Sequence, residues 1–120
     1  MDRALQLGLL LLPLLLLDSQ AQDTDSFPRI SSSVAEQNLV KKVEPPYPQM
    51  ARMAHIEGKV VLSIVISPEG KVSSVRAISG HPILIQPTMD AVYKWEYKPF
   101  IVDGKPRWVT TVVNVPFSLP

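Results

Sequence analysis

Reactive side chains are few and scattered along this 120-residue chain. His55 falls at the end of a short predicted helix and His81 follows a glycine, neither with an acidic residue at metal-ligand or triad spacing. Ser31-Ser32-Ser33 sits in a polar stretch without a nucleophile-elbow pattern. No two glycines lie closer than ten residues apart, so no phosphate-cradling loop is present. Asp90 and Glu96, on a predicted helix and at its end, read as solvated carboxylates rather than an acid–base pair. Cysteine is absent, which removes disulfides, thiolate chemistry and cysteine metal sites. The expectation is a protein that is not an enzyme, with no cofactor, metal or small-molecule substrate.

The chemistry that remains belongs to the backbone. Arg107 to Phe117 reads as a long final strand whose odd positions Val109, Val113, Val115 and Phe117 form an apolar face. Its even positions Trp108, Thr110, Val112 and Asn114 are mixed. A strand at the end of a chain readily lies at a sheet edge, where unpaired N–H and C=O groups await a partner. Pro116 fits that place, because proline cannot donate to an interior ladder. Arg107, Trp108, Val109, Thr110, Thr111, Val112, Val113, Asn114 and Val115 are therefore the candidate partner-binding residues. Such an edge aggregates, dimerises or receives a peptide as an added strand, unless another strand or the N-terminal leader already covers it. Trp95 reads as a packing anchor, and Trp108 fits a core or an interface equally well.

The elements that must position this strand follow from pattern. Leu39–Glu44 predicts a short strand closed by Pro45-Pro46. A helix of about two turns is expected after Tyr47, with Pro48 at its first position, Met50, Met53 and Ala54 on its apolar face and Gly58 as its stop. Val60–Ile66 is a β-branched run with Val60, Leu62, Ile64 and Ile66 on one face. Ser67-Pro68-Glu69-Gly70 turns it into a second strand over 71–79. There Val72 and Ile78 share one parity while Val75 and Ala77 share the other, so a bulge or burial on both faces is required. Pro87 predicts the opening of a second helix running to about Trp95, with Met89, Val92 and Tyr93 on one face and Asp90 and Lys94 an exposed pair. The expected fold is a small α+β two-layer sandwich, an antiparallel sheet of three to four strands with two short helices.

Composition sets the frame. Apolar residues are 46% and charged residues 19%, as in a globular domain. An apolar run from Leu5 to Leu17, interrupted only by Gln6, Gly8 and Pro13, is followed by Ser19-Gln20-Ala21, with small residues at the −3 and −1 positions expected by signal peptidase. Thirteen helical residues span about 20 Å, short of a roughly 30 Å hydrocarbon core. Residues 1–21 are thus expected as a cleaved signal peptide, 22–33 as a disordered leader and 34–120 as the folded domain. Removal of Asp2, Arg3 and Asp18 with the signal leaves 11 basic and 9 acidic residues, a balance of +2 that gives no reason to expect nucleic acid.

A family resemblance rests on a succession of short motifs. Pro46-Tyr47-Pro48, Ala51-Arg52, Glu57-Gly58-Lys59-Val60, Gly70-Lys71-Val72, Ser79-Gly80-His81-Pro82, Asp90-Ala91-Val92 and Trp95-Glu96-Tyr97-Lys98-Pro99, followed by the Val-rich strand, resemble in order and spacing the TonB C-terminal domain. The resemblance covers roughly residues 34 to 120. It implies a periplasmic module of Gram-negative bacteria serving TonB-dependent transport across the outer membrane. In that family the domain grips the TonB box, an extended segment of an outer-membrane transporter, as a strand beside the last strand of the sheet. Carried onto this chain, that edge is Arg107 to Phe117. The implied partner is such a transporter or another envelope protein. Two alternatives stand beside it: a short transducer anchored in the inner membrane, and a homodimeric structural protein of the envelope whose edge strands pair. A full transducer has an anchor and a long proline-rich spacer, whereas here about 17 residues, at most roughly 60 Å extended, separate Leu17 from Val34.

Overall fold

The computed structural model describes residues 27–120. The expected signal peptide and the start of the expected leader lie outside these residues. The described chain runs α1 (Ser32–Gln37), β1 (Leu39–Lys41), α2 (Gln49–Met53), β2 (Gly58–Ile66), β3 (Val72–Ser79), α3 (Pro82–Val92), β4 (Glu96–Tyr97), β5 (Ile101–Val102), β6 (Lys105–Pro106) and β7 (Val109–Phe117). A three-stranded antiparallel sheet of order β3-β2-β7 carries the fold, with the two-stranded pairs β1-β4 and β5-β6 beside it. This is the α+β architecture expected from the sequence, with a third short helix added.

β2 lies at the centre because its pattern allows nothing else. Val60, Leu62, Ile64 and Ile66 are all fully buried, and Val65 on the other face is nearly so. Side chains of β3 and β7 complete the same inner layer: Val72, Val75, Val109, Val113, Val115 and Phe117 join one buried cluster with Trp95, Tyr97 and Phe100, with α3 packed against β3 and β2 and α1 against β7. The ambiguous parity of β3 is settled by two bulges. Ile66 pairs with Val72 while Val65 pairs with Ser74, which leaves Ser73 as an extra residue. Leu62 pairs with Ala77 while Val61 pairs with Ser79, which leaves Ile78 extra and exposed. Each bulge resets the side-chain alternation, so Val72 and Val75 both reach the core.

Both expected helices need correction. α2 is a single turn with Pro48 as its N-cap rather than its first residue, and it ends before His55, whose φ of 55° takes the chain out of the helix ahead of Gly58. Its expected apolar face is turned outward: Met50 and Met53 are 72% and 74% exposed, and Ala51 is the buried residue. A small side chain lets this short helix lie close to the sheet, while Tyr47, edge-on to Phe117 at 5.3 Å, supplies the apolar bulk. α3 begins at Pro82, with His81 as N-cap, and Pro87 lies inside it. Both prolines satisfy an N1 pattern, but Leu84 and Thr88 must be buried together with Ala91 and Val92, which requires the earlier start. Tyr93 is correspondingly exposed, and Asp90 accepts a hydrogen bond from Gln86 Nε2 at 2.9 Å.

Residues 27–33 also differ from the structureless leader expected over 22–33. Arg29 pairs in parallel with Thr110 of β7, and Ser31 caps α1 through its side chain, which accepts from the Val34 N–H. The chain therefore folds onto the sheet from Phe27 onward.

Candidate functional site

A three-stranded sheet has two edges, and here they are built differently. β3 carries the bulges at Ser73 and Ile78 and the exposed Arg76 between them, devices that spoil an edge as a template. β7 pairs with β2 in unbroken register over nine residues, from Gly58↔Phe117 to Ile66↔Val109. Its far side is the straighter and chemically plainer edge.

Antiparallel geometry fixes which groups face outward, because both backbone polar groups of a residue point to the same side. Thr110 exchanges bonds with the N-terminal segment: its N–H donates to the Pro28 carbonyl at 2.9 Å, and its carbonyl accepts from the Ile30 N–H at 2.8 Å. Thr110, Val112, Asn114 and Pro116 are therefore the outward-facing residues, and Thr111, Val113 and Val115 face β2. The Val112 carbonyl accepts from Ser32 Oγ at 2.7 Å. The Val112 N–H, both Asn114 groups and the Pro116 carbonyl have no hydrogen-bond partner among the described residues. Pro116, which lacks an N–H, stands at an outward position where a missing donor costs the ladder nothing.

A groove of about 110 Å³ runs alongside this edge. Val112, Val113 and Asn114 form one wall, Ser32, Ala35 and Glu36 of α1 the other, and Leu39, Trp95 and Tyr97 the floor, with Lys42 at the rim. The floor is held firmly. Trp95 is 4% exposed and its Nε1 donates to the Val43 carbonyl at 2.9 Å. Tyr97 pairs with Leu39, its N–H donates to the Gly70 carbonyl, and burial pushes its phenol up to about 12. Beside it Glu96 sits between Lys71 Nζ at 2.9 Å and Lys41 Nζ at 3.6 Å, and the hydrogen bond and charge of Lys71 hold its carboxyl below the usual range. The groove has an apolar floor with one cationic and one anionic side chain at its margins.

Of the residues expected at the edge, Val109 to Val115 lie in β7, and Thr110, Val112 and Asn114 present their backbone outward. Arg107 and Trp108 precede the strand: the Arg107 N–H is bonded to the Phe100 carbonyl, and Trp108, 42% exposed, stacks on Phe27 at 5.9 Å. Sequence reasoning overlooked α1 and Ser32. The Ser33-Val34-Ala35-Glu36 run has the spacing of a capping box and marks a helix start near this point. His81 serves as a helix cap and His55 as a turn residue.

Fold and edge together define a class: small two-layer α+β domains with one guarded sheet edge and one long regular edge near the carboxyl end. A family model described as the C-terminal of the Gram-negative bacterial TonB protein matches residues 43–119, and the chain belongs to this family. Protein TonB of Escherichia coli K12 is 29% identical over 92 residues, 75% of this chain and 36% of that protein. Protein TonB of Vibrio cholerae is 34% identical over 67 residues, 54% of this chain and 28% of that protein. The chain thus aligns with about a third of the length of these relatives. Among solved structures, the Pseudomonas aeruginosa TonB C-terminal domain superposes with a TM-score of 0.58 at 23% identity, covering 68% of this chain and 84% of that one. The Helicobacter pylori domain gives 0.50 at 24% identity, covering 63% of this chain and 70% of that one. The segment 27–42, with α1 and β1, precedes the family match.

Proposed function

We propose that this protein is a periplasmic peptide-binding module that captures an extended segment, a TonB-box-like stretch of an outer-membrane transporter, by strand addition to the outer edge of β7. It serves TonB-dependent transport through main-chain recognition and is not an enzyme. The observation that carries this reading is the outward row formed by the Val112 N–H, both Asn114 backbone groups and the Pro116 carbonyl, without partners among the described residues, on a strand of unbroken register. Family membership supports the transport setting and a Gram-negative envelope. No helix of the described residues is long and apolar enough to cross a membrane.

Energetics assign different tasks to edge and groove. A backbone hydrogen bond contributes about 1 kcal/mol net, so the open rungs alone give weak binding. Burying one aliphatic side chain adds about 1.5–3 kcal/mol, and the groove over Trp95 and Tyr97 has the volume for one. Rungs set the register, and a side chain in the groove sets preference.

Titration of the isotope-labelled chain with a synthetic TonB-box peptide tests this. Amide shifts and new exchange protection are expected at Val112 and Asn114. Shifts confined to α2 or α3, or none, would overturn the docking site. Shifts at the same amides that grow with protein concentration alone would instead make a second copy the occupant.

A further inference from the structure

The edge of β7 is already in use at its upstream end, by the chain itself. Parallel pairing follows a fixed pattern: residue 110 bonds the carbonyl of residue 28 and the N–H of residue 30, and the next rung would join residue 112 to the carbonyl of 30 and the N–H of 32. The first rung is present, at 2.9 and 2.8 Å. The second is replaced by side-chain substitutes: the Ile30 carbonyl accepts from Thr111 Oγ1 at 2.7 Å, and Ser32 Oγ donates to the Val112 carbonyl at 2.7 Å. The chain then leaves the edge, because Ser31 caps α1 and turns the backbone into a helix. Phe27 on Trp108 anchors the other end. The segment behaves as one rung of an added strand with a hydroxyl imitating part of the next.

We propose that residues 27–32 form an autoinhibitory strap, a placeholder for the ligand strand that must leave β7 before an extended peptide pairs along the whole edge. This rests on the reading of β7 as the docking strand. With the strap in place, a ligand reaches only the Val112 N–H, Asn114 and the Pro116 carbonyl. With it released, both Thr110 groups and the Val112 carbonyl become available and the ladder is continuous. The strap is built to come away. It holds β7 by one backbone rung and two hydroxyl hydrogen bonds, Pro28 and Arg29 are exposed, and a cleft of about 340 Å³ lined by Phe27, Pro28, Val102, Asp103, Arg107 and Trp108 opens at its start.

The chain has no cysteine, so Arg29→Cys with Thr110→Cys places a single disulfide across the bridge, and its reduced form is its own folding control. Hydrogen exchange without ligand is the first readout. In the parent and the reduced variant, the amide at position 110 should exchange at least tenfold faster than those of Thr111 and Val113, and oxidation should slow it to their level. Equal protection of 110, 111 and 113 in the parent would overturn the strap. Binding of the synthetic TonB-box peptide is the second readout: oxidation should weaken it at least tenfold, and reduction should restore it. Equal affinity of the two forms overturns the strap and leaves the docking site standing. Binding by neither form removes the docking site, and the exchange result still decides whether the strap opens.

Discussion

Gly70 and Tyr97 show how little freedom single positions have beneath the groove. The Gly70 carbonyl accepts the Tyr97 N–H at 2.8 Å, and a Cβ on Gly70 would lie 1.9 Å from the Tyr97 carbonyl oxygen. Its φ of +86° is also one that side-chain-bearing residues rarely adopt. Gly70→Ala must therefore push the β2–β3 turn away from β4, at a cost of at least about 1–3 kcal/mol, measurable by urea denaturation. Tyr97 makes a second prediction. The unfolded chain gives up its phenol proton near 10.0, whereas the buried phenol holds it to about 12. Between these values the unfolded state binds fewer protons, so stability falls as pH rises through the window. The difference between the parent and Tyr97→Phe, followed by thermal unfolding from pH 9 to about 12, should contain that loss. Glu96 acts with the opposite sign. Its depressed carboxyl contributes stability that is present above 4.5 and lost as pH falls through the lower folded value, so Glu96→Gln should flatten the acid limb.

At the scale of elements, the two sides of β7 separate folding from binding. Asn114 faces outward beside Pro116, so Asn114→Pro removes a rung without touching the β2 pairing. It should weaken peptide binding at least about fivefold while moving the unfolding midpoint by less than about 5 °C. Val113→Pro, one residue away, removes an N–H that faces Leu62 of β2 and should cost about 1–3 kcal/mol or more. Equal effects from the two would mean that the alternation along β7 is misassigned. The same alternation explains what the sequence revealed. The faces of β2 and β7 were legible because a period of two with β-branched residues leaves a single burial pattern. α2 misled because methionine spacing says only that a stripe exists, and the sheet accepted Ala51 in place of Met50 and Met53. The start of α3 is ambiguous in the sequence because Pro82 and Pro87 offer the same signal, and only the tertiary burial of Leu84 distinguishes them. The strap was not legible at all. Nothing in Phe27-Pro28-Arg29-Ile30 is periodic, and its place is set by one backbone rung, two hydroxyl hydrogen bonds and the Phe27–Trp108 stack, all to residues some eighty positions away.

For the whole molecule, the decisive quantity is what precedes that rung. The family match covers residues 43–119, whereas the strap and the apolar run Leu5–Leu17 lie upstream of it. Cleavage after Ala21 would leave Gln22–Ser26 alone ahead of Phe27, so the strap would compete for β7 with a nearly free end. Retention of Leu5–Leu17 in a membrane would hold that end at a surface, and any displacement of the domain would pull on the rung at Thr110. The two arrangements differ in what opens the edge: mass action by the peptide in the first, tension in the second. The thirteen residues Leu5–Leu17, ten of them leucine, would reach only about 20 Å as a helix, against a core of roughly 30 Å, which favours the first. Intact-mass measurement on the chain purified from a cell envelope should find Gln22 at the amino terminus and the protein in the osmotic-shock fraction. A chain beginning at Met1 that pellets with inner membranes would reverse this, and in that form strap release should depend on load rather than on peptide concentration alone.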